Sequence, residues 1–83
     1  MRVHLRYFAS LREQLGSAET LELPDGLTVG QLRDQLLARS DTHAQALSRA
    51  RAVRCALNQT LCKEDARLTD EDELAFFPPV TGG

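Results

Sequence analysis

One stretch of this chain carries a full set of helix-start signals, and alternating segments stand on both sides of it. Thr28-Val29-Gly30-Gln31 has the form of a capping box, in which the Thr28 side chain and the Gln31 side chain each satisfy a free backbone N–H of the other's turn. Leu27 before the cap and Leu32 after it have the spacing of a hydrophobic staple. Val29, Leu32 and Leu36 then recur at helical intervals, with Leu37 flanking the stripe. The pattern predicts a helix running to about Arg39, with Gly30 weakening its first turn without forbidding it. A helix with one apolar stripe must be covered by the apolar face of something else.

The alternating segments supply that cover. In residues 2–8, RVHLRYF, Val3, Leu5 and Tyr7 fall on one face and His4, Arg6 and Phe8 on the other, as in a strand buried on one side. Residues 19–23, ETLEL, place Leu21 and Leu23 inward. Residues 53–57 place Val53, Cys55 and Leu57 inward and Arg54 and Ala56 outward; Asn58-Gln59 reads as a turn and Thr60–Cys62 as a very short strand. ELAFF at 73–77 is the last strand, with Leu74 and Phe76 on one face and Ala75 and Phe77 on the other. Smaller helical pieces fit between. Ser10 with Glu13 has the capping-box spacing, Leu11 and Leu15 share a side, and Gly16 follows as a left-handed C-cap would. Ser40 and Asp41 can cap a further helix over 42–51, carrying Ala44, Leu47 and Ala50. Pro24-Asp25-Gly26 is a turn.

Strands before and after a single main helix predict an α+β fold, a mixed sheet wrapped on that helix: the β-grasp, or ubiquitin-like, plan. With 83 residues the chain makes one small domain, expected over 1–77, with a flexible tail over 78–83.

Composition narrows the function by exclusion. Ten basic residues are spread among twelve acidic ones without a basic run, so no nucleic-acid partner is expected. No apolar run approaches a membrane span, and the opening MRVHLRYF, broken by His4 and Arg6, is not read as a signal peptide. The expected location is cytoplasmic. The two cysteines, Cys55 and Cys62, are seven apart and lack a second pair, and His4 and His43 bring no ligand spacing, so no metal site is expected. Both cysteines read as small, partly buried side chains, and a disulfide is not expected in a reducing compartment. The run Asp70-Glu71-Asp72-Glu73 reads as a solvated turn before an edge of the sheet rather than as a cation loop, which would carry spaced oxygens and a glycine. No Walker loop, HExxH, GxGxxG or GxSxG is present. Such a chain reads as a binder, a carrier or a subunit.

The last eight residues are Phe76-Phe77-Pro78-Pro79-Val80-Thr81-Gly82-Gly83. The two prolines cannot donate ladder hydrogen bonds, so the strand stops there, and they stiffen the exit as polyproline II. From Pro78 to Gly83 the chain can reach roughly 20 Å when extended. Thr81 is small, and Gly82 and Gly83 have no side chain, so the tip fits a narrow slot. A diglycine can be a frayed end of no consequence, or it can be a carboxylate made to travel.

The block AFFPPVTGG, with LTDEDE before it, ALNQTL at 56–61 and YFASLRE at 7–13, resembles the small subunit of molybdopterin synthase, the MoaD-type sulfur carrier. The segment between Ala18 and Arg54 matches only in pattern. The resemblance implies that this chain is not an enzyme on its own but the sulfur-donor subunit of one, with no bound cofactor. It implies three partners: an ATP-dependent adenylating enzyme that activates the Gly83 carboxylate, a sulfur donor that leaves a thiocarboxylate there, and the large catalytic synthase subunit. In that subunit the tail would give sulfur to cyclic pyranopterin monophosphate. Gly83, with Gly82, is the reacting end. Pro78, Pro79, Val80 and Thr81 would bind the partner as the tail inserts into its active site.

The alternation adds a docking surface. Phe8 and Phe77 fall opposite the core residues of their strands, and exposed Phe at two strand ends marks a partner surface unless the chain's own loops cover it. Leu61 beside the Asn58-Gln59 turn is expected to join them, and Arg12 is a candidate rim contact or a solvated helix residue. Rival readings are a carrier for another pathway of the thiamine type, a ubiquitin-like modifier forming isopeptide bonds, and an interaction module whose diglycine is inert.

Overall fold

The first and last strands of the sheet lie side by side, parallel, with the others arranged outside them. The computed structural model describes residues 1–79; Val80, Thr81, Gly82 and Gly83, which hold most of the expected tail, lie outside the described residues. In chain order the elements are β1 (Arg2–Tyr7), α1 (Ser10–Leu15), β2 (Ala18–Glu22), α2 (Val29–Leu37), α3 (Asp41–Ala46), β3 (Arg54–Leu57), β4 (Thr60–Cys62) and β5 (Glu73–Phe77). One sheet has the order β2-β1-β5-β3-β4. Among the described residues only the β1–β5 pair is parallel; β1–β2, β3–β4 and β3–β5 are antiparallel. This is the mixed β-grasp sheet, with α2 the longest of the described helices.

The core forms where the inward strand faces meet the helical stripe. Val3, Leu5, Tyr7, Leu74 and Phe76 from the middle strands pack with Val29, Leu32 and Leu36 of α2, and with Leu11, Ala46 and Leu47, all buried. Tyr7 and Phe76, direct partners in the β1–β5 ladder, stack with ring centroids 6.3 Å apart. Burying a side chain of this size contributes about 1.5–3 kcal/mol. The capping box of α2 forms as the sequence predicts: Gln31 N–H donates to Thr28 Oγ1 at 3.2 Å, and Thr28 N–H donates to Gln31 Oε1 at 2.9 Å. The helix closes at Leu37, two residues before the expected Arg39.

The smaller helices depart further from expectation. The Ser10–Glu13 box does not form. Ser10 is already inside α1, and the cap position is Ala9, at φ 54° and ψ −130°, without a side-chain cap bond. The chain leaves β1 too abruptly for Ser10 to stand outside the helix. Gly16 has the expected positive φ, 89°, but ψ is 174°, so the chain runs straight into β2 rather than curling as a left-handed cap. For α3, Ser40 caps as expected, accepting from the His43 N–H at 3.1 Å, but the helix stops at Ala46 and Ala50 is exposed. Just past the helix end, Arg33, buried on α2, holds the departing chain: its Nε donates to Leu47 O at 2.8 Å and its Nη2 to Ser48 O at 3.1 Å.

The acidic run at 70–73 also needs correction. It is not simply solvated, and it leads into a middle strand. Asp72 is buried, accepting from the Thr69 N–H at 2.7 Å and from Asn58 Nδ2 at 2.9 Å. These bonds tie the β3–β4 turn to the start of β5.

Candidate functional site

The outer face of the sheet, turned away from the helices, is where the outward residues of four strands come into line. Register sets one row across the strands: Arg6 on β1, Ala75 on β5, Ala56 on β3 and Leu61 on β4. Phe77, at the end of β5, is paired with Arg54, and Phe8 follows Tyr7 beside it. The Phe8 N–H donates to Phe76 O at 3.2 Å, which extends the β1–β5 ladder one step, before the turn at Ala9 sends Leu11 to the core.

The small side chains of Ala56 and Ala75 leave a shallow hollow of about 330 Å³ between taller neighbours. Arg6, Phe8, Gln59, Glu73 and Phe77 complete its lining. Phe8 is 40% exposed and Leu61, just beyond, is 60% exposed, large values for such side chains. The Arg6 guanidinium lies 5.5 Å from the centroid of the Phe8 ring and 3.6 Å from Glu73 Oε1. It is held between a π face and a carboxylate. Apolar anchors with a charged rim suit recognition by another protein. The one carboxylate in the lining, Glu73, faces Arg6. Among the described residues no group of three or more His, Cys, Asp or Glu side chains converges to hold a metal ion, and no helix is long and apolar enough to cross a membrane.

The structure thus brings Phe8, Phe77 and Leu61 to one face. Pro78, half-buried, and Pro79, exposed, follow Phe77 directly, so the chain leaves the sheet at the margin of this hollow. Arg12 is exposed on α1 but is not among the residues lining it. Val80, Thr81, Gly82 and Gly83 lie outside the described residues. Arg6, Gln59 and Glu73 were not singled out from the sequence. Alternation does put Arg6 outward, but it gives no register, and register is what sets Arg6 beside Ala75 and Phe8.

Comparison with known proteins agrees with this architecture. The sequence profile of the ThiS family matches residues 5–83. The molybdopterin synthase sulfur carrier subunit of Escherichia coli (strain K12) is 46% identical over 81 residues, covering 98% of this chain and 99% of that protein. The protein of the same name from Haemophilus influenzae is 35% identical over 82 residues, with 98% and 99% covered. Among solved structures, the small archaeal modifier protein 1 of Haloferax volcanii superposes with a TM-score of 0.75 at 26% identity, covering 95% of this chain and 98% of the other.

Proposed function

This chain belongs to the ThiS family and is a homologue of molybdopterin synthase sulfur carrier subunits, and from that premise we propose that it carries sulfur on its terminal glycine. The observation that carries the proposal is the joint one of sequence and place. FFPPVTGG begins with the last two residues of the middle strand β5, and the hollow lined by Phe8 and Phe77, with Leu61 just beyond it, lies where that strand ends.

In the proposed cycle an adenylating enzyme uses ATP to convert the Gly83 carboxylate into an acyl adenylate. A carboxylate is a poor electrophile because its oxygen leaves badly, and the mixed anhydride supplies AMP as a good leaving group. A sulfur donor then displaces AMP and leaves a thiocarboxylate, anionic and polarisable, which needs no base on this chain to act as a nucleophile. The hollow docks the large subunit of molybdopterin synthase, and the tail delivers sulfur to cyclic pyranopterin monophosphate in that subunit's site. The side chains of this domain then bind and orient, while the reacting atoms sit on the tail.

The test is the intact mass of the full chain after incubation with its adenylating enzyme, ATP and a sulfur donor. An oxygen-to-sulfur exchange mapped to Gly83 is expected, and deleting Gly82-Gly83 is expected to abolish it while leaving the domain folded. No exchange and no AMP release would overturn the proposal. The likeness to a modifier protein favours a second reading, whose mark is isopeptide conjugates of Gly83 on lysines.

A further inference from the structure

The helix-facing side of the sheet holds two thiols that the carrier role does not use. Cys55 on β3 and Cys62 on β4 are direct partners in the hairpin register, and their Sγ atoms lie 3.4 Å apart. Both are free thiols, Cys55 buried and Cys62 half-buried. Leu57 and Thr60 close the two-residue turn, in which Asn58 (φ 49°) and Gln59 (φ 71°) both have positive φ, the signature of a type I′ hairpin. Pairs along an antiparallel hairpin alternate in kind. Cys55–Cys62, two steps from the closing pair, is therefore of the same hydrogen-bonded kind, with Cα atoms roughly 5.5 Å apart. A disulfide spans that distance. The Cβ atoms of such a pair stand somewhat wider than the bond prefers, so closure draws the strands together and leaves a bond that thiols reverse readily.

We propose that Cys55 and Cys62 are a reversible oxidative modification site, at which a small-molecule disulfide converts the pair into an intrachain cross-strand disulfide. The Cys62 thiol, the more accessible, loses its proton and attacks one sulfur of the oxidant. The oxidant's S–S bond breaks, one thiolate leaves, and a mixed disulfide remains on Cys62. The Cys55 thiol then loses its proton and attacks Cys62 Sγ, expelling the second thiolate. Two S–H bonds are lost and one S–S bond forms; the oxidant is reduced to two thiols, which take up the two protons. Burial, then the hydrogen bond with Cys62, pushes the Cys55 thiol up to about 12, so Cys55 acts second, once Cys62 Sγ has become the electrophilic sulfur of the mixed disulfide beside it. The bond would join the two strands that present Ala56 and Leu61 on the opposite face.

The experiment treats the folded full chain with oxidised glutathione and reads intact mass and a non-reducing peptide map. The expected product has lost two hydrogens, carries Cys55 linked to Cys62, retains no glutathione, and returns to the dithiol with dithiothreitol. Cys55→Ser is expected to stop at a glutathione adduct on Cys62, and Cys62→Ser to stay unmodified. A wild-type chain that keeps the glutathione adduct, stays fully reduced, or closes the bond only in urea would overturn the proposal. The wild-type measurement decides this by itself, whatever the serine variants do to folding.

Discussion

Asn58 and Asp72 clamp the β3–β4 turn to the start of the middle strand. Asn58 Nδ2 donates to Asp72 Oδ1 at 2.9 Å, while Asn58 Oδ1 accepts from the Glu73 N–H at 3.0 Å. Asn58 also sits at a positive φ of 49°, which asparagine tolerates better than most residues. Asn58→Ala removes both side-chain bonds and leaves part of a buried carboxylate unsatisfied. It is expected to lower stability by about 1–3 kcal/mol. Urea unfolding of Asn58→Ala, Asp72→Ala and the double variant should show a coupling of at least about 0.5 kcal/mol. Strictly additive losses would mean that the two residues act separately.

Gly30 sits in the first turn of α2, where helix propensity alone would favour alanine by about 1 kcal/mol. A Cβ there would meet Glu64 at three atoms: Oε1 at 2.9 Å, Cβ at 3.1 Å and the backbone oxygen at 3.3 Å. The Glu64 carboxylate can swing away only by leaving Arg49 and Arg33, which it pairs with at 2.6 and 3.3 Å. The crowding therefore outweighs propensity. Gly30→Ala is expected to destabilise by about 1–3 kcal/mol in thermal unfolding, and an unchanged or higher Tm would refute that ordering of effects.

Acid should weaken the fold through two carboxylates. Burial tends to raise Glu19, but hydrogen bonds from Tyr7 and His43 and the charge of Arg39 outweigh it and hold the carboxyl below its ordinary range. Burial likewise tends to raise Asp72, and the bonds from Asn58 and Thr69 outweigh it. Both are lowered on folding, so the unfolded chain binds more protons in this range. Their contribution is complete above the unfolded values of about 4 and is lost as pH falls through the folded ones. The urea midpoint is expected to hold from about pH 7 to about pH 5 and to decline below about pH 4. Glu19→Gln should make that decline shallower, and an identical acid limb would place the effect elsewhere.

The proposed docking face lets binding be tested apart from folding. Leu61→Asp changes an exposed side chain on β4 and is expected to alter stability by no more than about 0.5 kcal/mol. In calorimetric titration with the large subunit of molybdopterin synthase it should weaken binding by about tenfold or more. Phe77→Ala, at a half-buried position, should likewise cost more in binding than in stability. Unchanged affinity in both variants would remove this face from the interface.

Local chemistry in the sequence marks the elements that local chemistry decides. The Thr28 capping box, the stripe Val29–Leu32–Leu36 and the alternation of β1 and β5 all appear in the fold as they read on the page. The departures come where a distant partner intervenes. Nothing local marks Arg33 for burial, which depends on Leu47 O and Ser48 O being brought to it, and Asp72 reads as one charge in an acidic run until Asn58 arrives. The outward Phe8 and Phe77 are legible from period two, and Leu61 from its place beside the Asn58-Gln59 turn. Their convergence was not, because it depends on the β1–β5–β3–β4 register, which no single segment encodes.

The parallel ladder between β1 and β5 bears on when the domain can exist at all. At roughly 5–20 residues per second, β1 waits several seconds on the ribosome before the strand that pairs with it is made. Until residues 73–77 appear, the sheet lacks its middle, and β1–β2 and β3–β4 have nothing to join them. Phe8 and Phe77 meet only when that strand is laid in. A partner that grips both is therefore reading completeness as well as shape: a prematurely terminated chain would offer it no surface to hold.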